Sequence, residues 1–401
     1  MPFTVGLSQH SDPGVATGEI VGRVLESLGV QPDVALLFTS GEHMAHTDEI
    51  AAAVGELLSP GAFIGTTACS VAAGEREIEE ETAAVLWVGS LGSGEGPRAR
   101  AVWLSGVPDP TADDEALAAA LDSVHATGDP SMIVLADPYS YPVDAALAHW
   151  AQRWPHVSVL GGLSSGAPMP GGNRIVADGG VHRSGAAALI VGGSATVTHL
   201  VSQGCRPIGQ PYIITEAEGN VVRSLGGLPP FERLQRMFSK LDPADQRLVQ
   251  RGLHVGRVTD ERKVEFGSGD FLIRGVLGAD RESGAIAIGD EAPIGATVQF
   301  HVRDARTADE DLRAALEHSP PTQSALLFTC NGRGTHLFET PHHDASVLAE
   351  HTSAEVAGMF CAGEIGPVGA RSYVHGFTAS MALFRDNDTD SDDTSSHLPT
   401  S

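Results

Sequence analysis

VALLFTSGEHMAHTDEIAAAVGELLSPGAFIG, residues 34–65, holds the pattern that decides the fold. Its opening run VALLF (Val34 to Phe38) is short, apolar and strand-like. TDEIAAAVGELL suits a helix, and GAFIG supplies a second apolar run ending at Gly65. Strand, amphipathic helix and strand in that order read as a parallel pair joined by a right-handed crossover.

Two further stretches repeat the plan. MIVLA (Met132 to Ala136) leads through DAALAHWAQRW to VSVLGG, with Gly161 and Gly162, and ALLF (Ala325 to Phe328) leads through HDASVLAEHTS to EVAGMF around Gly358. From the end of each first strand to the marker glycine the distances are 65 − 38 = 27, 161 − 136 = 25 and 358 − 328 = 30 residues. Each unit continues into a loop of small residues (TTACSVAAG, LSSGAPMPGG, CAGEIGPVG) and another apolar run (AAVLWVG, AAALIVGG, TASMALF). Chance similarity among glycine-rich segments is the competing explanation, and the recurrence of loop and run favours one unit used three times. The expected fold class is α/β, with repeated β-α-β(-β) units forming mixed sheets.

Between the second and third units the pattern changes. YIITEAEGNVVRSL (Tyr212 to Leu225) reads as a hairpin turning at EGN. A proline-started helix follows at about Pro230 to Ser239. Several short strands broken by Gly, Asp and Pro then occupy Asp270 to Asp304. This is a β-rich insertion in the C-terminal half, and the boundary falls near Gly204.

A chain of 401 residues suggests two domains. The net charge of −26, from 51 acidic and 25 basic residues, argues against nucleic acid or an anionic membrane as partner, since both require clustered Lys and Arg. Part of the charge lies in the acidic run Asp386 to Asp393, which has nothing to bury and reads as disordered. Cys69, Cys205, Cys330 and Cys361 are widely spaced without a CxxC pair, as in a reduced intracellular protein. The N-terminus lacks a basic region followed by an apolar one, and no stretch approaches the roughly 20 apolar residues of a spanning helix, so a cytoplasmic location is expected.

In open α/β sheets the loops at strand C-termini line the ligand crevice. That places Cys69 in the first unit, Ser164 and Ser165 in the second, and Cys330, Asn331, Arg333, Cys361 and Glu364 in the third as candidate ligand contacts. Arg333 suits a carboxylate or phosphate through two parallel bonds, or else a loop carbonyl or local acidic partner. Glu364, confined by Gly363, Gly366 and Pro367, suits an ammonium group or general-base work if burial raises its pKa, or else caps its own loop. The cysteines read as small buried hydrophobes unless a cation lowers a thiol pKa. The serines lack a GxSxG elbow.

No catalytic residue, metal or cofactor is assigned. His43 with His46, and His342 with His343, lack the spacing of a metal motif, and His375 reads as a satisfied structural histidine. The glycine loops lack the GxxxxGK[ST] and GxGxxG frames of nucleotide sites.

FTCNGRG (Phe328 to Gly334), GEIGP (Gly363 to Pro367), HGFTASMALF (His375 to Phe384), GCRPIG (Gly204 to Gly209) and the EGN hairpin together resemble the FIST C domain. VALLFTS and GAFIGTTACSVAAG are similar to the FIST N domain. The resemblance implies a FIST N-like domain over 1–203, a FIST C-like domain over 204–385 and an acidic tail over 386–401. It further implies an intracellular sensory or signal-transduction module that binds a small polar ligand such as an amino acid. The two halves take up the chain, so a signal is expected to leave through a separate signalling protein. Two alternatives stand: an enzyme using Cys361, Cys330 or Glu364 in an acyl or amino-group reaction, and a ligand-free interaction scaffold.

Overall fold

Three successive segments of the chain make the same connections in the computed structural model, which describes residues 2–386 except 93–95, 106–108, 110, 125–127, 178, 264 and 268. The first comprises β1 (Phe3–Ser8), α1 (Pro13–Leu28), β2 (Val34–Ser40), α2 (Thr47–Leu58), β3 (Ala62–Thr67), the hairpin β4 (Ser70–Ala73) and β5 (Arg76–Glu79), and β6 (Ala83–Gly89). The second comprises β7 (Ala99–Leu104), α3 (Asp114–Ser123), β8 (Ser131–Ala136), α4 (Val143–Arg153), β9 (Ser158–Leu163), the hairpin β10 (Ile175–Ala177) and β11 (Gly180–His182), and β12 (Ala186–Val191).

The third segment opens with β13 (Ala195–Gln203) and is interrupted by a closed barrel. The barrel contains β14 (Cys205–Glu218), β15 (Val221–Leu225), α5 (Pro230–Phe238), α6 (Pro243–Arg251), β16 (Leu253–Val258), β17 (Phe271–Ala279), β18 (Ile286–Ile288) and β19 (Thr297–Arg303). The segment resumes with α7 (Ala305–Glu317), β20 (Ser324–Cys330), α8 (His343–Thr352), β21 (Glu355–Cys361), the hairpin β22 (Glu364–Val368) and β23 (Arg371–His375), and β24 (Thr378–Asp386). The first strand of the barrel begins at Cys205, one residue after Gly204. Of the tail over 386–401, only Asp386, which closes β24, lies within the described residues.

Local signals explain the element ends. Asp12 caps α1 by accepting from Val15 N, with Pro13 opening the helix, and Gly29 closes it in the left-handed region. The parallel pairs β2/β3, β8/β9 and β20/β21 each lie beside an antiparallel strand, β6, β12 or β24, so the sheets are mixed. Every residue of β2, β6, β8, β12 and β20 is buried, as expected for strands covered on both faces.

The three marker glycines share one role. A Cβ on Gly65 would lie 2.6 Å from Leu37 O, on Gly161 2.0 Å from Val134 O, and on Gly358 2.1 Å from Leu327 O. Only glycine allows the paired strands to approach this closely at those points.

The hairpins do not stay with their own sheets. β4–β5 of the first segment joins β21, β10–β11 of the second joins β3, and β22–β23 of the third joins β9. Each six-stranded sheet is therefore finished by a neighbour's hairpin, and strands on both sides of Gly204 share sheets. The inner faces of the three sheets meet in one core that includes Leu36, Phe38, Ile133, Leu135, Leu326 and Phe328. Trp87 Nε1 ties two sheets by donating to Ser324 Oγ at 2.7 Å. Helices cover the outer faces, through Ile20 and Val54, Leu117 and Trp150, and Leu312 and Leu348. Among the described residues no helix is long and apolar enough to cross a membrane.

Candidate functional site

Parallel pairing sets Cys330 at the end of β20 directly beside Cys361 at the end of β21. The chain then turns tightly: Asn331 N donates to Cys361 O at 2.9 Å and Arg333 N to Cys330 O at 2.8 Å. This turn drives Arg333 into the interior. Its guanidinium donates from Nε to Asp344 Oδ2 at 2.6 Å and from Nη2 to Asp344 Oδ1 at 2.7 Å, with both side chains fully buried. Of the two roles open to Arg333, pairing with an acidic partner in its own chain takes two of its nitrogens. Nη1 remains, buried and without a hydrogen-bond partner.

Glu364 arrives on the exchanged hairpin and is also fully buried. Its Oε2 accepts from Thr378 N at 3.1 Å and from Thr378 Oγ1 at 2.9 Å, while Oε1 has no partner. Burial pushes its carboxyl up to about 8, opposed by the Thr378 donors and by Arg333. Its protonated form therefore prevails at neutral pH, in which state the carboxyl is neither a base nor a partner for an ammonium group.

The thiols behave as apolar groups. Burial, reinforced by Glu364, raises the Cys330 and Cys361 thiols well above the ordinary value, and Cys205 is pushed up to about 12. The Cys361 sulfur lies where a Cβ on Gly162 would come within 2.3 Å, so Gly162 makes room for it. Cys69 is partly exposed.

The small-residue loops of all three segments meet here, bonded mainly to one another. Ser164 Oγ shares a 2.6 Å hydrogen bond with Thr66 Oγ1. Ser165 Oγ accepts from Cys69 N at 3.0 Å and donates to Phe360 O. Leu163 N donates to Gly363 O at 2.8 Å, and Ala362 N to Leu163 O at 3.0 Å. The structure thus gathers the chosen residues into one junction, with a closed interior of Ser164, Arg333, Cys361 and Glu364 and an outer side of Cys69, Ser165 and Asn331. A surface depression of about 930 Å³ lies elsewhere, between α2 and the β10–β11 hairpin.

Sequence reasoning missed the groups that hold this junction. Asp344 also accepts from Thr329 Oγ1 at 2.6 Å and lies 3.0 Å from His343 Nδ1. Arg333 holds its carboxyl well below the usual carboxylate range, against the effect of burial. Glu77, from the exchanged hairpin β4–β5, accepts from Ala345 N at 3.0 Å in the first turn of α8. Burial and the nearby Asp344 push Glu77 up to about 7. His342 Nδ1 accepts from Glu77 N at 3.0 Å, and His343 Nε2 reaches Asp309 at 2.9 Å, so the two histidines serve different partners. No group of three or more His, Cys, Asp or Glu side chains suited to a metal occurs among the described residues.

Residues 33–228 match the FIST N domain and residues 230–367 the FIST C domain. The chain belongs to the FIST family. FIST domains are sensory and signal-transduction domains. An uncharacterized protein of Mycobacterium tuberculosis is 42% identical over 393 residues, spanning 96% of this FIST chain and 100% of the relative. An uncharacterized protein of Mycobacterium bovis is 39% identical over 394 residues, with the same coverage of both chains.

Proposed function

We propose that this FIST protein is an intracellular sensory module that binds a small polar ligand where the three sheets meet. The observation behind the reading is the pair of unfilled buried positions, Arg333 Nη1 and Glu364 Oε1. A buried polar atom without a partner costs about 1–3 kcal/mol, so a ligand group that fills either position recovers that cost. Asp344 neutralises Arg333, and Glu364 is mostly protonated at neutral pH. The junction therefore suits a ligand recognised by directed hydrogen bonds more than by net charge. Cys69, Ser165 and Asn331 form the solvent-facing side of the junction from which a ligand would approach. The enzymatic alternative is less well supported, because burial holds Cys330 and Cys361 away from the thiolate form.

A thermal-shift screen against the amino acids and short polar metabolites tests the reading, since a ligand at 100 times its Kd adds about 2.7 kcal/mol of stability. A stabilising compound whose effect disappears in Glu364→Met is expected. A panel without a shift, or a shift that survives this substitution, refutes the proposal. Arg333→Ala is unsuitable as the probe. It strands Asp344 in the interior, and breaking a buried pair this way costs about 3–5 kcal/mol whether or not anything binds.

A further inference from the structure

Charge is divided unevenly along this chain. Residues 205–303, the barrel, contain 13 Lys and Arg and 13 Asp and Glu, so the entire net charge of −26 belongs to the remainder. An acidic partner is repelled by most of the molecule and meets the barrel without that penalty.

One pocket on the barrel has the complementary character. The pairing of β14 with β19 slips between Ile208 and Tyr212, and Gly209 takes φ 67° at that irregularity. A Cβ on Gly209 would come 2.7 Å from Met237 Sδ, so α5 packs directly on the bulge. Between them lies a pocket of about 360 Å³, with Tyr212, Met237 and Leu241 as its apolar floor and Arg233, Arg236 and Lys240 around it. This volume lies within the usual range for binding pockets.

The cations are available to a partner in different degrees. Arg233 is fixed, donating to Leu225 O at 2.9 Å and Gly226 O at 2.7 Å, with its guanidinium carbon 4.9 Å from the Tyr212 ring centroid. Arg236 pairs with Glu232 one turn away on the exposed face of α5, a contact of little energetic weight. Lys240 makes no ion pair among the described residues.

We propose that this pocket docks a short acidic segment of a partner protein. An apolar side chain of the segment sits on Tyr212 and Met237, and its carboxylates meet Arg236, Lys240 and the fixed Arg233. One carboxylate cannot serve three separate cations, whereas side chains at alternate positions of an extended segment, ~7 Å apart, reach more than one. The inference is independent of the ligand reading above.

Fluorescence anisotropy of a labelled peptide, Asp-Glu-Asp-Leu-Asp-Glu-Asp, titrated with the full chain at low salt is the test. Saturable binding is expected, weakened at least ~10-fold by the double substitution Arg236→Glu, Lys240→Glu and weakened further as salt shortens the screening length. Both substituted residues are exposed, and circular dichroism verifies that the fold persists. Replacing the central leucine of the peptide with serine is expected to weaken binding as well. Absence of binding, or equal affinity for the double variant, overturns the proposal. So does binding of phenyl phosphate without binding of the peptide, which would make the pocket a small-anion site.

Discussion

Glu364 and Glu77 hold their protons for the same reason, loss of hydration, and this fixes the sign of their effect on stability. An ordinary glutamate carboxyl titrates near 4.5, while burial moves Glu77 to about 7 and Glu364 to about 8. The folded state therefore binds protons more tightly than the unfolded chain. Their stabilising contribution is complete below the ordinary value and is lost as pH rises to 7 and 8, respectively. Asp344 acts in the opposite sense: its carboxyl is depressed by Arg333, so its contribution is present above 3.8 and disappears on acidification. Burial holds His199, His254, His301 and His375 neutral down to about 4, so they act in the same sense as Asp344 below about pH 6.5. The effect of the glutamates is read above that range: thermal unfolding measured between about pH 7 and 9 is expected to show a midpoint that falls as pH rises, with a shallower fall in Glu364→Gln. An unchanged slope in that variant would show that Glu364 titrates normally. The sequence revealed Glu364 and hid Glu77. Glu364 stands between glycine and proline in a turn that singles it out, whereas Glu77 lies in the acidic stretch Glu75 to Glu81, which looks like a solvated face. Its burial depends on contact with α8, some 270 residues away.

At the level of the element, the spacing of the marker glycines was the most legible feature, because it reflects a steric need. Gly358→Ala is expected to cost at least ~2 kcal/mol, since its Cβ would lie 2.1 Å from Leu327 O, a backbone atom that cannot turn aside. Gly18→Ala provides the contrast. Gly18 lies within α1 with open space around it, so alanine there should stabilise by up to ~1 kcal/mol. Urea unfolding of the two variants checks both signs, and a harmless Gly358→Ala would remove the steric account of the repeated glycine. Other elements gave weaker signals. PADQRLVQR forms α6 with no fully buried residue, Leu248 and Val249 packing only partly buried against the barrel core, so its apolar signal is thin, and the sequence reading passed over it and β16. The destinations of the hairpins could not be read at all, because local pattern specifies a strand and not its partner.

For the molecule as a whole, hairpin exchange and the closed barrel imply different degrees of independence. The barrel has its own core, including Ile214, Val255 and Phe300, and its ends Cys205 and Arg303 are paired. Residues 205–303 are expected to fold as a separate fragment. Residues 1–203 are not, since they leave β4–β5 without a sheet, β9 without β22, and β13 without β24. Circular dichroism and gel filtration of the two fragments decide the matter, and a monomeric, cooperatively unfolding 1–203 would show that the exchanged strands are dispensable.

The same exchange bears on how the chain is made. Val71 in the first hairpin pairs with Met359, which leaves the ribosome 288 residues later (359 − 71). At typical rates of elongation that delay is roughly 15–60 s. One of the first hairpins to be synthesised is thus among the last to find its place, and while translation proceeds its open edge must be kept from pairing with strands of other nascent chains.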